Sequence, residues 1–369
     1  MKKSAWLMGV AAIALAGAGE AAAQERTVKI AGFGAHSGVV RSFGVNAWAV
    51  MRAAADEINA KGGVKLKDGS KAKIEVSYDD DKCNAEDGIN VARRLASGSS
   101  LIAIAPTCSN VAEPLFGILQ KKVDDAGDSG LQYPIFTDVA IKGGLAKISE
   151  WAFRNVPSEI QMYNSLFGYL KTKHPDAKTI WGGVEEDFAH SRATWHVVMK
   201  VESPKQGYEI KGESKWLLND TTFTTQVRDM KAANPDIIAI AAHPFTTCGV
   251  LKEMARQGVK PKVLIGLTST SSLETMEGCA KQAEGMVIPT SFAPVNEEAK
   301  RVATLAAKYK GSMDLHSAAM WENMMILKDV MEAAGIDAKP ETVKEDRRKI
   351  RDGLAKLNET KGLLGLNKR

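Results

Sequence analysis

The sequence has no G-x-S-x-G elbow, no P-loop, no H-E-x-x-H and no C-x-x-C. Those absences remove the common local signatures of a serine hydrolase, a phosphate-cradling nucleotidase, a zinc peptidase and a zinc or dithiol site. It also has no run of five like charges, although its net charge is +5. Nucleic-acid binding needs a concentrated basic patch, so that class is set aside. Beyond the first twenty or so residues no apolar stretch approaches the roughly 20 residues a bilayer span requires. There is no low-complexity segment, short repeat or Pro/Gly/Ser-rich linker.

The chain that remains is long and ordinary in composition. Its 369 residues are 44% hydrophobic and 25% charged, more than one core needs, and this predicts two lobes. Lys2 and Lys3 precede an apolar stretch from Ala5 to Ala18, and Ala21-Ala22-Ala23 follows. This is the pattern of a cleavable export signal, so residues 1–23 are expected to be removed and Gln24 to begin the mature chain in the periplasm. The four cysteines, Cys83, Cys108, Cys248 and Cys279, all lie in the exported part. In an oxidising compartment they suggest two disulfides with three possible pairings, of which neighbour with neighbour closes the shortest loops.

Along the mature chain, short β-type runs alternate with helical ones. Strands are expected at Thr27–Ala31, Ile74–Tyr78, Leu101–Ala105, Pro134–Thr137, Thr179–Trp181, Glu209–Gly212, Ile237–Ala241, Lys262–Ile265 and Met286–Ile288. Helices are expected at Phe43–Ala60, Asn84–Ser97, Asn110–Lys122, Glu159–Lys173, Ala189–Lys200, Phe223–Ala233 and Cys248–Gln257. Three more follow, at Glu297–Lys310, Ser317–Ala334 and Glu341–Lys356. Such alternation predicts an α/β fold of parallel sheets covered by helices on both faces, with ligands beyond the carboxyl ends of the strands. Two runs of strands predict two sheets and a cleft between them.

Several local patterns have bland readings. Gly32–Gly38 follows a strand, but its third glycine is out of register for a dinucleotide fingerprint, so it predicts a tight turn offering backbone N–H groups to a ligand. His190 and His196 are six apart on a helix and do not share a face, which makes them surface or packing residues. Asp79-Asp80-Asp81 lacks the spaced ligands of a calcium loop. No cofactor or metal is expected.

Four strings carry a resemblance: Val28-Lys29-Ile30 running into Ser37-Gly38, Asp56-Glu57-Ile58-Asn59-Ala60-Lys61-Gly62-Gly63-Val64, Asp79-Asp80-Asp81-Lys82-Cys83, and Cys108-Ser109 at a strand end. From about Val28 to the late 350s the chain resembles the periplasmic leucine/isoleucine/valine-binding family, the type I solute-binding proteins of ABC transporters. The resemblance implies a two-lobed fold, lobe 1 from residues 24–153 and 290–369 and lobe 2 from 154–289, with crossings near Phe153–Pro157 and Pro289–Pro294. It also implies a Cys83–Cys108 bridge and hinge closure without chemistry; relatives usually continue past the last helix with strands that return to the second lobe, a pattern this chain departs from by stopping soon after Leu363-Leu364-Gly365. The partners it implies are a small-molecule ligand and permease subunits, with the protein itself a monomer.

The family's ligand positions fall on particular residues. Ser109, with Thr107 and Asn110 beside it, is implied to receive a ligand carboxylate at a helix N-terminus, where unpaired donors and the dipole favour an anion. Val139 and Ala140 align where the backbone meets the ligand. Ile141 stands where amino-acid binders carry a threonine for the α-ammonium, and Thr268 stands where they place a neutralising carboxylate. Phe43, Phe188 and His243 occupy aromatic wall positions. Arg41 is a candidate carboxylate partner. With no acid at 268, the expected ligand is a small organic acid without an ammonium, aromatic acids ahead of aliphatic ones. An amino-acid receptor and a ligand sensor that docks on a membrane receptor are the rival readings.

Overall fold

A computed structural model describes residues 26–368. The expected export signal therefore lies outside the described residues. Two parallel sheets organise the chain. The first is built from β1 (Thr27–Gly34), β2 (Val64–Lys65), β3 (Lys71–Asp80), β4 (Ile102–Ile104), β5 (Ile135–Thr137) and β6 (Ala152–Arg154), in the order β2-β3-β1-β4-β5-β6. Only the β2–β3 pair is antiparallel. The second contains β7 (Thr179–Glu185), β8 (Glu209–Trp216), β9 (Ile237–Ala241) and β10 (Val263–Gly266), ordered β10-β9-β7-β8 and parallel throughout.

Both faces of each sheet are covered, so the central strands read as continuous apolar runs; all five residues of β9 are buried. On one face of the first sheet, α1 (Arg41–Ala60) packs with the late helices α10 (Glu297–Ala307), α11 (Leu315–Ala334) and α12 (Val343–Lys356). On the other face, α2 (Ala85–Ser97) and α3 (Ser109–Gly117) cover a separate cluster. The second sheet has α4 (Glu159–Lys173) on one side, and α7 (Thr224–Ala233), α8 (Pro244–Gln257) and α9 (Leu273–Ala283) on the other.

The D-E-I-N-x-x-G-G-V string earns its form locally. Asn59 ends α1 by bonding both the N–H and the C=O of Ile74, at 2.7 and 2.8 Å, which ties the helix to β3. Gly63 has φ +79°, and a Cβ there would lie 2.1 Å from the Ala72 carbonyl oxygen, so only glycine fits. Asn84 caps α2 by accepting from the backbone of Glu86 and Asp87, as its position predicts.

Several expectations are corrected. The stretch Met286–Ile288 is not a strand but a single bridge, Val287 opposite Ile265, confined between Gly285 at φ +80° and Pro289. The helix expected over Asn110–Lys122 stops at Gly117, because Ile118 and Gln120 pair with Leu131 through backbone bonds of 2.9 and 3.1 Å. The segment Ala189–Lys200 is not one α-helix: α5 (Ala189–Arg192) widens into a π-turn over Ala193–Met199 before α6 (Lys200–Lys205). Proline at its first position lets α8 start at Pro244 rather than Cys248. The strands after the last helix, β11 (Glu359–Gly362) and β12 (Gly365–Lys368), form a two-stranded hairpin. It does not return to the second sheet: the Leu363 N–H donates to Glu322 of α11, and Thr360 bonds Asn155 beside β6. No described helix is long and apolar enough to cross a membrane.

Candidate functional site

Where the carboxyl ends of the two sheets face each other they enclose a small cavity of about 20 Å³, near the size of one water-sized sphere. Its first wall comes from Phe43 of α1, Thr107-Cys108-Ser109 at the turn from β4 into α3, Val139 and Ile141 after β5, and Leu315 and His316 at the start of α11. Its second wall comes from Phe188 and His190 after β7, His243 after β9, and Thr268 and Ser269 after β10. Eight of the eleven expected ligand residues thus line one opening, and a ninth, Asn110, closes it: the Asn110 side chain accepts a bond from the Ala189 N–H across the cleft.

Each wall is held by one disulfide. Cys83–Cys108, Cα atoms 5.7 Å apart, clamps the turn ahead of Ser109. Cys248–Cys279, 5.3 Å apart, ties α8, which follows His243, to α9, which follows Thr268. Both spacings are ordinary for such bridges, and neighbour pairs with neighbour as expected.

Two expected residues do not take part. Arg41 is exposed at the outer start of α1 and does not line the cavity. Ala140 is buried with its N–H given to Thr137 Oγ1, so its methyl packs into the core. The glycine-rich turn does not present donors either: the Ala35 N–H goes to Thr107 Oγ1 and the His36 N–H to Asp80. Asp80 and Asp81 themselves accept turn amides of Lys82 and Cys83.

The second wall is polar in a way the sequence did not announce. Glu185, fully buried at the end of β7, takes His243 Nδ1 at 2.5 Å and Thr246 Oγ1 at 2.6 Å. Burial alone pushes its carboxyl up, but the charge and hydrogen bonds of His243, with Thr246, outweigh that and hold it below the ordinary glutamate value. Glu159, the first residue of α4, faces His190 Nε2 at 2.5 Å as an ion pair off the hydrogen-bonding angle, and accepts from Thr194 at 2.7 Å. His190 is therefore a site residue and not the packing residue its spacing suggested. Ser191 lies 3.4 Å from His243, but on the same Nδ1 that Glu185 occupies, so no nucleophile–base relay is assembled.

The rings close the space. Phe43 stacks on His316 with centroids 4.1 Å apart, and Phe188 meets His243 at 4.0 Å. Burial drives His316 down to about 3, with the neighbouring histidines adding to the effect, so its ring is neutral. Thr268 Oγ1 and Ser269 Oγ are buried without a hydrogen-bond partner among the described residues. Ser269, Leu315 and His316 were not foreseen. Nothing local in the sequence tells that the start of α11, at the far end of the chain from α1, lies against Phe43.

One cluster outside the cleft has metal-ligand chemistry: Glu186, His196 and Glu213. The Lys215 ammonium sits 3.0 Å from Glu186 and 3.1 Å from Glu213, so an internal cation already occupies that position.

Two α/β lobes meet at a side-chain-lined cleft beyond their strand ends, the position where open α/β folds take ligands. The sequence profile of the periplasmic binding proteins matches residues 27–368, and the chain belongs to that family, whose members are solute-binding proteins and not enzymes. Solved structures share the fold. One is the branched-chain amino acid transporter substrate-binding protein LivJ of Streptococcus pneumoniae in complex with isoleucine: 20% identity, TM-score 0.76, covering 93% of this chain and 92% of that one. Another is a solute-binding protein of an ABC transporter from R. palustris in complex with 4-hydroxybenzoate: 16% identity, TM-score 0.75, 92% and 88% covered. A third, from Rhodopseudomonas palustris BisB5, is in complex with 3,4-dihydroxybenzoic acid: 16% identity, TM-score 0.73, 93% and 88% covered.

Proposed function

We propose that this protein is the periplasmic solute-binding component of an ABC transporter and that it carries a small organic acid, aromatic carboxylates ahead of aliphatic ones. The observation that carries the ligand reading is the absence of any carboxylate among the residues lining the cleft. Glu159 and Glu185 behind the second wall are turned to His190 and His243, and Asp314 behind the first wall to Asn46 and Ser317. A free α-ammonium would meet imidazole rings and the hydroxyls of Thr268 and Ser269, and a desolvated cation without a counter-charge is costly. An acid is better served: Ser109 and the first N–H groups of α3 supply donors at a helix N-terminus, and Phe43 and Phe188 supply ring faces. Relatives of the same fold carry either class, isoleucine or hydroxybenzoates, so the choice rests on these side chains.

The mechanism is closure without chemistry. Lobe 1, residues 24–153 and 290–369, takes the carboxylate; lobe 2, residues 154–289, then swings in, with bending at the crossings near Phe153–Pro157 and Pro289–Pro294. The Asn110–Ala189 bond joins the lobes in the closed form, which the permease subunits distinguish from the open one. A thermal-shift and calorimetric screen of benzoates, short-chain acids and amino acids tests the reading, since a ligand that binds only the folded state raises the melting temperature. Strong shifts with leucine or isoleucine and none with acids would overturn it.

A further inference from the structure

The second wall uses the same device twice. His243 Nδ1 and His190 Nε2 each lie 2.5 Å from a glutamate oxygen. The glutamates come from unrelated elements, Glu185 closing β7 and Glu159 opening α4, and both are buried. Taking a carboxylate out of water is costly unless it is paired, and a ring wanted only for stacking on Phe188 needs no such partner. What a paired carboxylate does is fix the ring's orientation and commit its opposite nitrogen. The opposite atom is Nε2 on His243 and Nδ1 on His190, although Glu159 holds the His190 ring only by an off-angle charge contact that leaves its Nε2 without a hydrogen bond. Both rings line the cavity with centroids 5.8 Å apart, edge to face. No lysine or arginine lines it.

We propose that these two glutamate-backed histidines recognise a second oxygen function on the ligand, at the end opposite the carboxylate held near Ser109, so that the ligand is a hydroxy acid or a dicarboxylic acid. This rests on the anionic-ligand reading of the same cleft. A plain monocarboxylate would press C–H groups against both ring nitrogens and leave them without water or partner, and each unpaired buried group costs a factor of about ten or more in affinity. Sites built around a hydrogen bond reject analogues that lack it for this reason. A hydroxyl pairs with the ring in either protonation state, and a second carboxylate accepts from the imidazolium form.

Isothermal titration of the purified protein at one pH tests this with benzoate, the hydroxybenzoates and the phthalates, with butyrate against succinate, and with leucine. The expected result is that the best hydroxy or dicarboxylic acid binds at least about tenfold tighter than the parent monoacid. His190→Phe and His243→Phe should each shrink that preference, read within each variant as the ratio of the parent acid's Kd to that of the substituted acid. His190→Gln and His243→Gln provide the same reading if a phenylalanine variant does not fold. Equal affinity for parent and substituted acids, or a preference that survives in folded variants at both positions, overturns the proposal and leaves the acid reading intact. Tight leucine binding with no acid bound, or no binding across the whole set, overturns both.

Discussion

The two walls of the cleft solve the same problem with different chemistry. The first wall is made of backbone donors, a serine and apolar side chains: Ser109 at the head of α3, Val139, Ile141, Phe43. Its charges are absent or silent, since His316 is held neutral by burial. The second wall spends two buried glutamates on orienting two histidines. A wall of neutral donors tolerates any anion of the right size. A wall of fixed imidazoles discriminates, because its unpaired nitrogens penalise a ligand that does not answer them. On this view capture belongs to the first lobe and selection to the second.

The comparison can be broken most severely at Glu185. Glu185→Ala removes the shared acceptor of His243 and Thr246 and should cost about 3–5 kcal/mol of stability, measured by denaturant unfolding. A loss under about 1 kcal/mol would mean that the second wall is not held by this pair. The disulfides come next. They close loops with sequence separations of 25 and 31, so replacing either pair by serine should cost about 3 kcal/mol. Only loss of Cys83–Cys108 should also weaken acid binding strongly, because it frees the turn carrying Ser109.

Ser109→Ala should then separate binding from stability. Losing a hydrogen bond to a charged group costs about 1.5–3 kcal/mol, or roughly 10–100-fold in Kd, for every acid alike, with little change in melting temperature. An effect on one acid only would move discrimination to the first wall. The last test is in pH. Asp138, beneath Val139, has its carboxyl raised to about 8 by burial, while its partnerless Oδ2 makes no compensating bond. The folded state therefore holds a proton the unfolded chain releases, and stability falls as pH rises from about 4 to 8. His316 runs the other way: depressed to about 3, it adds stability above its unfolded value of 6.5 that is lost as pH falls from there towards 3. Unfolding curves of Asp138→Asn and His316→Phe across pH 4–8 should each flatten one limb. If neither limb changes, the two groups do not set the pH response beneath the first wall.

Much of this was legible beforehand because it is local. The period-2 and period-3.6 patterns located α4 and β9 to the residue, since both are bounded by strong local signals. The first wall was legible because its residues cluster at strand ends next to recognisable strings. The edge strand β6 and α9 went unnoticed: three residues of Ala-Phe-Arg form a strand only because β5 is there to pair with. The π-turn after α5 and the single bridge at Val287 are likewise settled by neighbours and not by propensity.

The order of strands and helices, the turn at Gly62-Gly63 and the cap at Asn84 were determined by the sequence, because each depends on residues within a few positions of one another. The pairing of His243 with Glu185, 58 residues away, and of His190 with Glu159, 31 residues away by number, was decided only when β7, β9, α4 and α5 packed around one sheet end. A histidine's role depends on what its second nitrogen meets, and that is a property of the assembled space.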